Sequence, residues 1–255
     1  MRDQIAALPQ WRRIRGRLPV VSADRGIDCL LGADEFADRD PPVALAADEL
    51  HLWLWHSEQP FPPRQVSALA RDALGRLLQA YGGAGAPPPI LRGEHGKPFV
   101  AEAGFPQFNL SHSGCCVVFA FARDHEIGVD VEMIGRRHSS LELARRFYAA
   151  EEAAALGALA ESEREAAFMR MWTCKEAVLK ALGQGLSFGL HRVRFAIGPD
   201  SPAIALQEIA AEAGRREDWQ LKRFEPAAGH AGALAWRGPP LHVRTFRLHP
   251  EAAVD

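Results

Sequence analysis

The 255-residue chain is predicted to fold as α+β. Three observations predict it. Strand-like runs stand next to one another with short turns between, as "CCVVFAFA" (115–122), "RDHE" and "IGVDVEM" (127–133) do. Helical periodicity is gathered into a few long stretches rather than alternating with strands as βαβ units. With 47% hydrophobic residues, the chain can bury a real core as one large domain or two small ones.

Taken in order, residues 1 to about 48 read as irregular, with "WRRIRGR" (11–17) and "DRDPPVALAADE" (38–49) running over the surface. "LHLWLWH" (50–56) is a strand. Pro62-Pro63 opens a helix with Val66, Leu69, Leu74, Leu77, Leu78 and Tyr81 at helical spacing, and Gly82-Gly83 ends it. "GAGAPPP" (83–89) is a loop, and "FNLSHSG" (108–114) leads into the strand 115–122. After the strand 127–133 and the turn "GRRHSS" (135–140), helices are expected at about 141–159 and 163–182, stopped by "GQG" (183–185). "HRVRFAI", "GALAW" and "LHVRTF" are three closing strands, and no repeat of fixed period is visible.

Composition excludes several function classes. A net charge of −2 provides no basic field to draw nucleic acid or anionic lipid. No apolar leader-like region and no apolar run near 18 residues is present, so a cytoplasmic protein with no membrane partner is expected. Four cysteines show no CxxC or Cys/His ligand spacing, and the adjacent Cys115 and Cys116 read as small core residues of a strand.

The strand 127–133 carries two acids at alternate positions, Asp130 and Glu132. Strand side chains alternate faces, so both carboxylates point the same way, roughly 7 Å apart along the chain. Like charges that close repel, and burying either alone is costly. A wet edge strand is one explanation; a shared cation is the other. The helix around "FMRMWTCKEAVLKALG" bears on the choice. Phe168, Met171, Trp172, Val178, Leu179 and Leu182 form its apolar face, with Lys175 in the middle and Glu176 beside it. Glu176 and Lys180 are either a surface pair one turn apart or part of a site. An ammonium at Lys175 amid core residues needs an anion. Asp130, Glu132 and Glu176 could together ligate a hard cation such as Mg2+, with Lys175 and Lys180 facing the phosphates it binds, an arrangement suited to phosphoryl-type transfer.

"GKP" (96–98), "FNLSHSG", "IGVDVE" (127–132), "RFYAAEE" (146–152) and "WTCKEAVLKALGQGL" (172–186) occur in the order found in 4′-phosphopantetheinyl transferases. The chain resembles the monomeric type acting on peptide and polyketide synthase carrier proteins, over roughly residues 90–190 and more weakly to 236. "LSHSG" is not the G-x-S-x-G elbow of a hydrolase. The resemblance implies a pseudo-twofold pair of similar α+β subdomains, 1–125 binding coenzyme A and 126–255 holding the metal and catalytic residues, with the active site in the cleft between them. It implies transfer of the phosphopantetheine arm of coenzyme A to a serine of an apo carrier protein, with release of adenosine 3′,5′-bisphosphate. Asp130, Glu132 and Glu176 match the magnesium ligands, and Lys180 the lysine beside the pyrophosphate. Glu132, Glu176 and Lys180 are thereby also catalytic candidates, with Glu152 as a possible assistant. For coenzyme A, Ser111 and His112 match the 3′-phosphate contacts, Lys97 and Pro98 the segment beside adenine, and Arg92 and Arg71 phosphate-binding arginines. Lys175 and Lys180 complete that set. The basic cluster of the N-terminal half is thin compared with relatives, and "WRRIRGR" is the segment that could substitute. Carrier proteins of this system present an acidic helix, so Arg136, Arg137, Arg145 and Arg146 are candidates for docking. Two alternatives remain: a non-catalytic binder of coenzyme A or carrier protein, and an unrelated Mg-dependent phosphohydrolase.

Overall fold

The computed structural model describes residues 31–38, 44–83, 86–135, 139–198 and 201–249. The segment "WRRIRGR" and the residues Arg136 and Arg137 lie outside them. The fold is α+β. Its strands are β1 (Ala37–Asp38), β2 (Glu49–His56), β3 (Leu91–Arg92), β4 (Pro98–Phe99), β5 (Gln107–Ser113), β6 (Cys116–Ala122), β7 (Ile127–Met133), β8 (Val193–Gly198), β9 (Ser201–Ile209), β10 (Trp219–Phe224), β11 (His230–Arg237) and β12 (His242–Arg247). The helices are α1 (Val66–Gly82), α2 (Ser140–Phe147), α3 (Ala150–Ala158) and α4 (Glu161–Leu182).

Two sheets carry the structure. One has the order β1-β12-β2-β6-β5 and the other β10-β11-β7. Period-two alternation along β2 divides its side chains between two cores. Leu50, Leu52 and Leu54 join Val118 and Ala120 of β6 against Ile127, Val129 and Val131 of β7 and Leu234 and Trp236 of β11, so the two sheets pack against each other. Trp53 turns the other way, with Val117, Phe119 and Phe121, onto the apolar stripe of α1. On the far side of the second sheet, Ala233 and Ala235 of β11 receive Met171, Cys174, Val178 and Leu179 of α4. Each sheet therefore has one long helix on its outer face. Both helices end where a residue of positive φ follows, Gly83 after α1 and Gly183 after α4, a conformation that glycine adopts without a Cβ penalty.

Several expected boundaries change. The helix expected over 141–159 is two helices, because Tyr148 and Ala149 are extended. The Tyr148 ring stacks on Phe168 at 5.3 Å, and the Glu152 carboxylate accepts the Ala149 amide at 2.9 Å, starting α3 afresh. "FNLSHS" is a strand in its own right, and β9 and β10 add to the three closing strands expected. β12 pairs in parallel with β2, so the last strand belongs to the sheet of the N-terminal half and a division at residue 125 does not separate the two sheets.

Candidate active site

The acid strand β7 is gripped on its two edges by different means. β11 pairs antiparallel along one edge, from His230 opposite Met133 to Trp236 opposite Ile127. The other edge faces β5, which is not its ladder partner, and side chains substitute for the missing backbone bonds. The Val129 amide donates to Asn109 Oδ1 at 2.9 Å, and the Met133 amide to Ser113 Oγ at 3.1 Å. Alternation on β5 brings Ser111 into the same row: its hydroxyl donates to Asp130 Oδ1 at 2.8 Å, and that of Ser113 to Glu132 Oε2 at 2.7 Å. Two neighbouring carboxylates are thus held by a hydroxyl each. Sequence reasoning misses Asn109 and Ser113, although the period-two spacing of Asn109, Ser111 and Ser113 is a signal that could find them.

α4 supplies the other wall. It lies directly on β7 at Gly128, where a Cβ would come within 2.0 Å of the Ala177 carbonyl oxygen, so only glycine allows this approach. Lys180 reaches across from that position. Its ammonium donates to Asp130 Oδ1 at 2.7 Å, Ser111 Oγ at 3.0 Å and the Val129 carbonyl at 3.2 Å. The partner of Lys180 is therefore Asp130 on another element. Glu176 stands one turn earlier. Burial pushes its carboxyl up to about 7, the Asp130 and Glu132 charges push the same way, and Lys180 opposes them.

These groups open onto a cleft of about 630 Å³ between α1 and α4. Asp130, Glu132, Glu176 and Lys180 line it together with Arg71, Arg92, Pro98, Ser111 and His112. Nine of the positions singled out from the sequence thus meet in one place. Arg71 and His112 are exposed, and His112 Nε2 lies 3.4 Å from Ser67 Oγ. Arg92 Nη1 donates to the Gly96 carbonyl at 3.0 Å, which fixes the arginine at the cleft rim. Ser67 and Trp172 also line the cleft; the sequence pattern places Trp172 only on an apolar helix face.

A hard divalent cation fits this donor set. Asp130 is buried, its Oδ1 accepts from Ser111 and Lys180, and its Oδ2 is buried with no hydrogen-bond partner among the described residues. A buried carboxylate oxygen without a donor is costly and is the sort of atom that a metal ion satisfies. The three acids stand apart here: among the described residues, the triad with ligand atoms all within 4.8 Å of one another lies elsewhere. Lys180 neutralises Asp130 in this arrangement.

Three predicted site residues, Lys175, Glu152 and Lys97, do not line the cleft. Lys175 is fully buried, and its three donors are taken by the Glu152 carboxylate at 2.8 Å, the Leu190 carbonyl at 2.9 Å and the Val193 carbonyl. The Tyr148 ring lies 4.6 Å from it as well. Glu152 is buried too, accepting the Phe195 amide at 2.7 Å through its Oε1. The anion that Lys175 meets is a carboxylate of the same chain, and neither residue lines the cleft. The pair ties α3, α4 and β8 together, and thereby sets where α4 lies. Lys97 is also engaged: its ammonium donates to the Ala181 carbonyl at 2.9 Å and the Ile127 carbonyl at 3.1 Å. It caps the C-terminal turn of α4 and lines a smaller pocket of about 190 Å³ with Pro98, Asn109 and Lys180.

Comparison with known proteins places this cleft in a family. Residues 126–235, which include β7 and α4, match the profile of the 4′-phosphopantetheinyl transferase superfamily. The chain is 33% identical over 230 residues to the 4′-phosphopantetheinyl transferase HetI of Nostoc sp. (strain PCC 7120), covering 78% of this chain and 92% of that protein. The chain belongs to the 4′-phosphopantetheinyl transferases. More partial matches join it to the 4′-phosphopantetheinyl transferase Sfp of Bacillus subtilis (strain 168), 38% identical over 38% of this chain and 42% of Sfp. The 4′-phosphopantetheinyl transferase AcpT of Salmonella typhimurium is 36% identical over 50% of this chain and 64% of its own length. The shared region holds the acids of β7 and α4, while α1 and its arginine lie outside the superfamily profile. No helix among the described residues is long and apolar enough to cross a membrane.

Proposed function

We propose that this cleft transfers the 4′-phosphopantetheine arm of coenzyme A to a serine of an apo acyl or peptidyl carrier protein. The observation that carries the reading is the opposition of charges across one cleft: Asp130, Glu132 and Glu176 on one side, Arg71, Arg92 and His112 on the other, and Lys180 among them. A pyrophosphate needs both, cations for its oxygens and acids to hold a metal against it. Asp130, Glu132 and Glu176 would hold Mg2+, which when bound neutralises developing charge on the phosphoryl oxygens.

The remaining work falls to side chains. Arg71, Arg92 and His112 bind and orient the phosphates of coenzyme A from the α1 side, with Pro98 beside the base. Lys180 moves from Asp130 toward the bridging oxygen and stabilises the leaving adenosine 3′,5′-bisphosphate. The carrier serine hydroxyl attacks the phosphorus bearing the pantetheine, the bond to the bridging oxygen breaks, and the hydroxyl proton goes to a carboxylate of the cleft. Ser111 and Ser113 keep Asp130 and Glu132 oriented. The protein works as a cytoplasmic monomer with coenzyme A as its substrate.

The test is direct. Incubation with coenzyme A, Mg2+ and an apo carrier protein, followed by intact-mass measurement of the carrier, should show the gain of one phosphopantetheine arm, lost on chelation of the metal. No gain with several carriers, despite measurable binding of coenzyme A, would favour a binding protein instead. Inorganic phosphate released from nucleotides without carrier would favour a phosphohydrolase.

A further inference from the structure

The described triad that brings three ligand atoms within 4.8 Å of one another is His56, Cys115 and Cys116, at the tip of the β5–β6 hairpin. The linear sequence hides it, because the two histidines of this neighbourhood are far from the cysteines in the chain. The fold supplies them. His56 ends β2 opposite Cys116 in the ladder, and His230 begins β11 with its Nε2 3.8 Å from Cys115 Sγ. Adjacent residues of a strand point to opposite faces, but Cys115 sits in the two-residue turn, so its thiol escapes that alternation. Gly114 makes the turn possible twice over. Its φ is +57°, and a Cβ there would come within 2.8 Å of His230 Nε2.

The second observation is the orientation of His230. It is buried, and its Nδ1 lies 3.3 Å from the Ala228 carbonyl. A carbonyl can only accept, so that contact places the proton on Nδ1 and leaves the lone pair of Nε2 aimed at Cys115. An imidazole steered in this way by a backbone carbonyl is the usual support of a metal-binding histidine. The 3.8 Å spacing also matches the sulfur-to-nitrogen edge of a tetrahedron, roughly 3.6 Å for bonds of about 2.3 Å and 2.0–2.1 Å. All three described cysteines are free thiols; Cys115 is half-buried and Cys116 fully buried, so a metal would have to displace the proton that burial holds on the Cys116 thiol.

We propose that His56, Cys115 and Cys116 form a site for a zinc-class cation, separate from the carboxylate cleft, with His230, which lies outside that triad and 3.8 Å from Cys115, closing onto the metal as the fourth ligand. Two thiolates and two imidazoles make a soft donor set that Mg2+ does not favour and Zn2+ does. With four protein ligands the site has no open position for substrate, so its role is structural. It ties the hairpin that carries Ser113 to β2 on one side and to β11, the ladder partner of the acid strand, on the other.

Co2+ titrated into the fully reduced whole protein, in excess Mg2+, tests this. The expected result is one equivalent bound, with the near-ultraviolet absorption of thiolate–cobalt charge transfer and the visible bands of tetrahedral Co2+, all displaced by Zn2+. Cys115→Ser should lose most of the charge-transfer absorption. His56→Ala, a change at an exposed position that leaves the core untouched, should weaken binding at least tenfold, and Cys174→Ser, on α4, should change nothing. Zn2+ should also raise the melting temperature of the wild type and not that of Cys115→Ser. Absence of charge-transfer absorption in the reduced wild type overturns the proposal, and so does its full retention in Cys115→Ser or its loss in folded Cys174→Ser.

Discussion

α4 carries two lysine–carboxylate pairs of nearly equal length, and they do different work. Lys175 meets Glu152 at 2.8 Å and Lys180 meets Asp130 at 2.7 Å. At the first pair every donor is used, two carbonyls and a backbone amide complete the shell, and neither residue reaches solvent. At the second, Lys180 remains 26% exposed and Asp130 keeps a buried oxygen without a partner. Distance alone therefore does not separate a structural ion pair from a functional one. What separates them is whether hydrogen-bonding capacity is left over and whether it opens onto a cavity.

The largest expected effect is on turnover at the cleft. Asp130→Ala or Glu176→Ala should lower the transfer rate roughly 10²-fold or more, the scale of losing one preorganised electrostatic contact. Melting temperature should stay close to the wild-type value, because Lys180 can turn to solvent and the remaining acids repel less. Near-normal turnover of a variant at low Mg2+ would remove that residue from the metal site. The core pair should behave in the opposite way. Glu152→Ala leaves the Lys175 ammonium buried and unpaired, and denaturant unfolding should show a loss of about 3–5 kcal/mol. Replacing both residues by apolar ones of similar volume should recover much of that loss, and if it does not, the pair has a further role.

A third contrast concerns pH. Glu176 has its folded-state value raised from 4.5 to about 7, so the folded protein holds a proton that the unfolded chain has released across that interval. Metal-free protein should therefore lose stability as the pH rises from about 4.5 through 7, by about 1–2 kcal/mol after allowance for the partial exposure of the group. Thermal unfolding with chelator at several pH values measures it, and Glu176→Gln should flatten the trend. Mg2+ should reverse it above pH 7, where the ligand is ionised. The smallest effect lies at the surface. Arg145 and Arg146 are exposed on the last turn of α2, and reversing both to Glu should raise the KM for carrier protein a few-fold, more at low salt, while leaving the KM for coenzyme A unchanged. Arg136 and Arg137, the neighbouring candidates, lie outside the described residues.

The same contrast explains what could be read from the sequence. The bounds of β7 and the end of α4 were legible because period-two apolar alternation and a stop glycine are local signals. The acids of the cleft were legible because paired carboxylates on one strand face demand an explanation. The fate of Lys175 was not, since its helical position announces burial but cannot tell a carboxylate from a phosphate as the buried partner. That depended on the chain breaking at Tyr148, which the helical pattern of 141–159 conceals. β9 and β10 were missed although Trp219 and Leu221 alternate with polar residues, and the hold of Ser113 on Glu132 required knowing that β5 lies beside the open edge of β7. The cysteine cluster was invisible for a related reason, as its histidines come from β2 and β11.

The central claim is that a metal belongs to the Asp130 pair and not to the Glu152 pair. Mn2+ binding followed by electron paramagnetic resonance in the presence of coenzyme A tests it most directly, with Asp130→Asn and Glu152→Gln compared at a temperature where both remain folded. The account predicts at least tenfold weaker Mn2+ binding for Asp130→Asn and wild-type binding for Glu152→Gln. Unchanged affinity in Asp130→Asn, or an equal loss in folded Glu152→Gln, would contradict it.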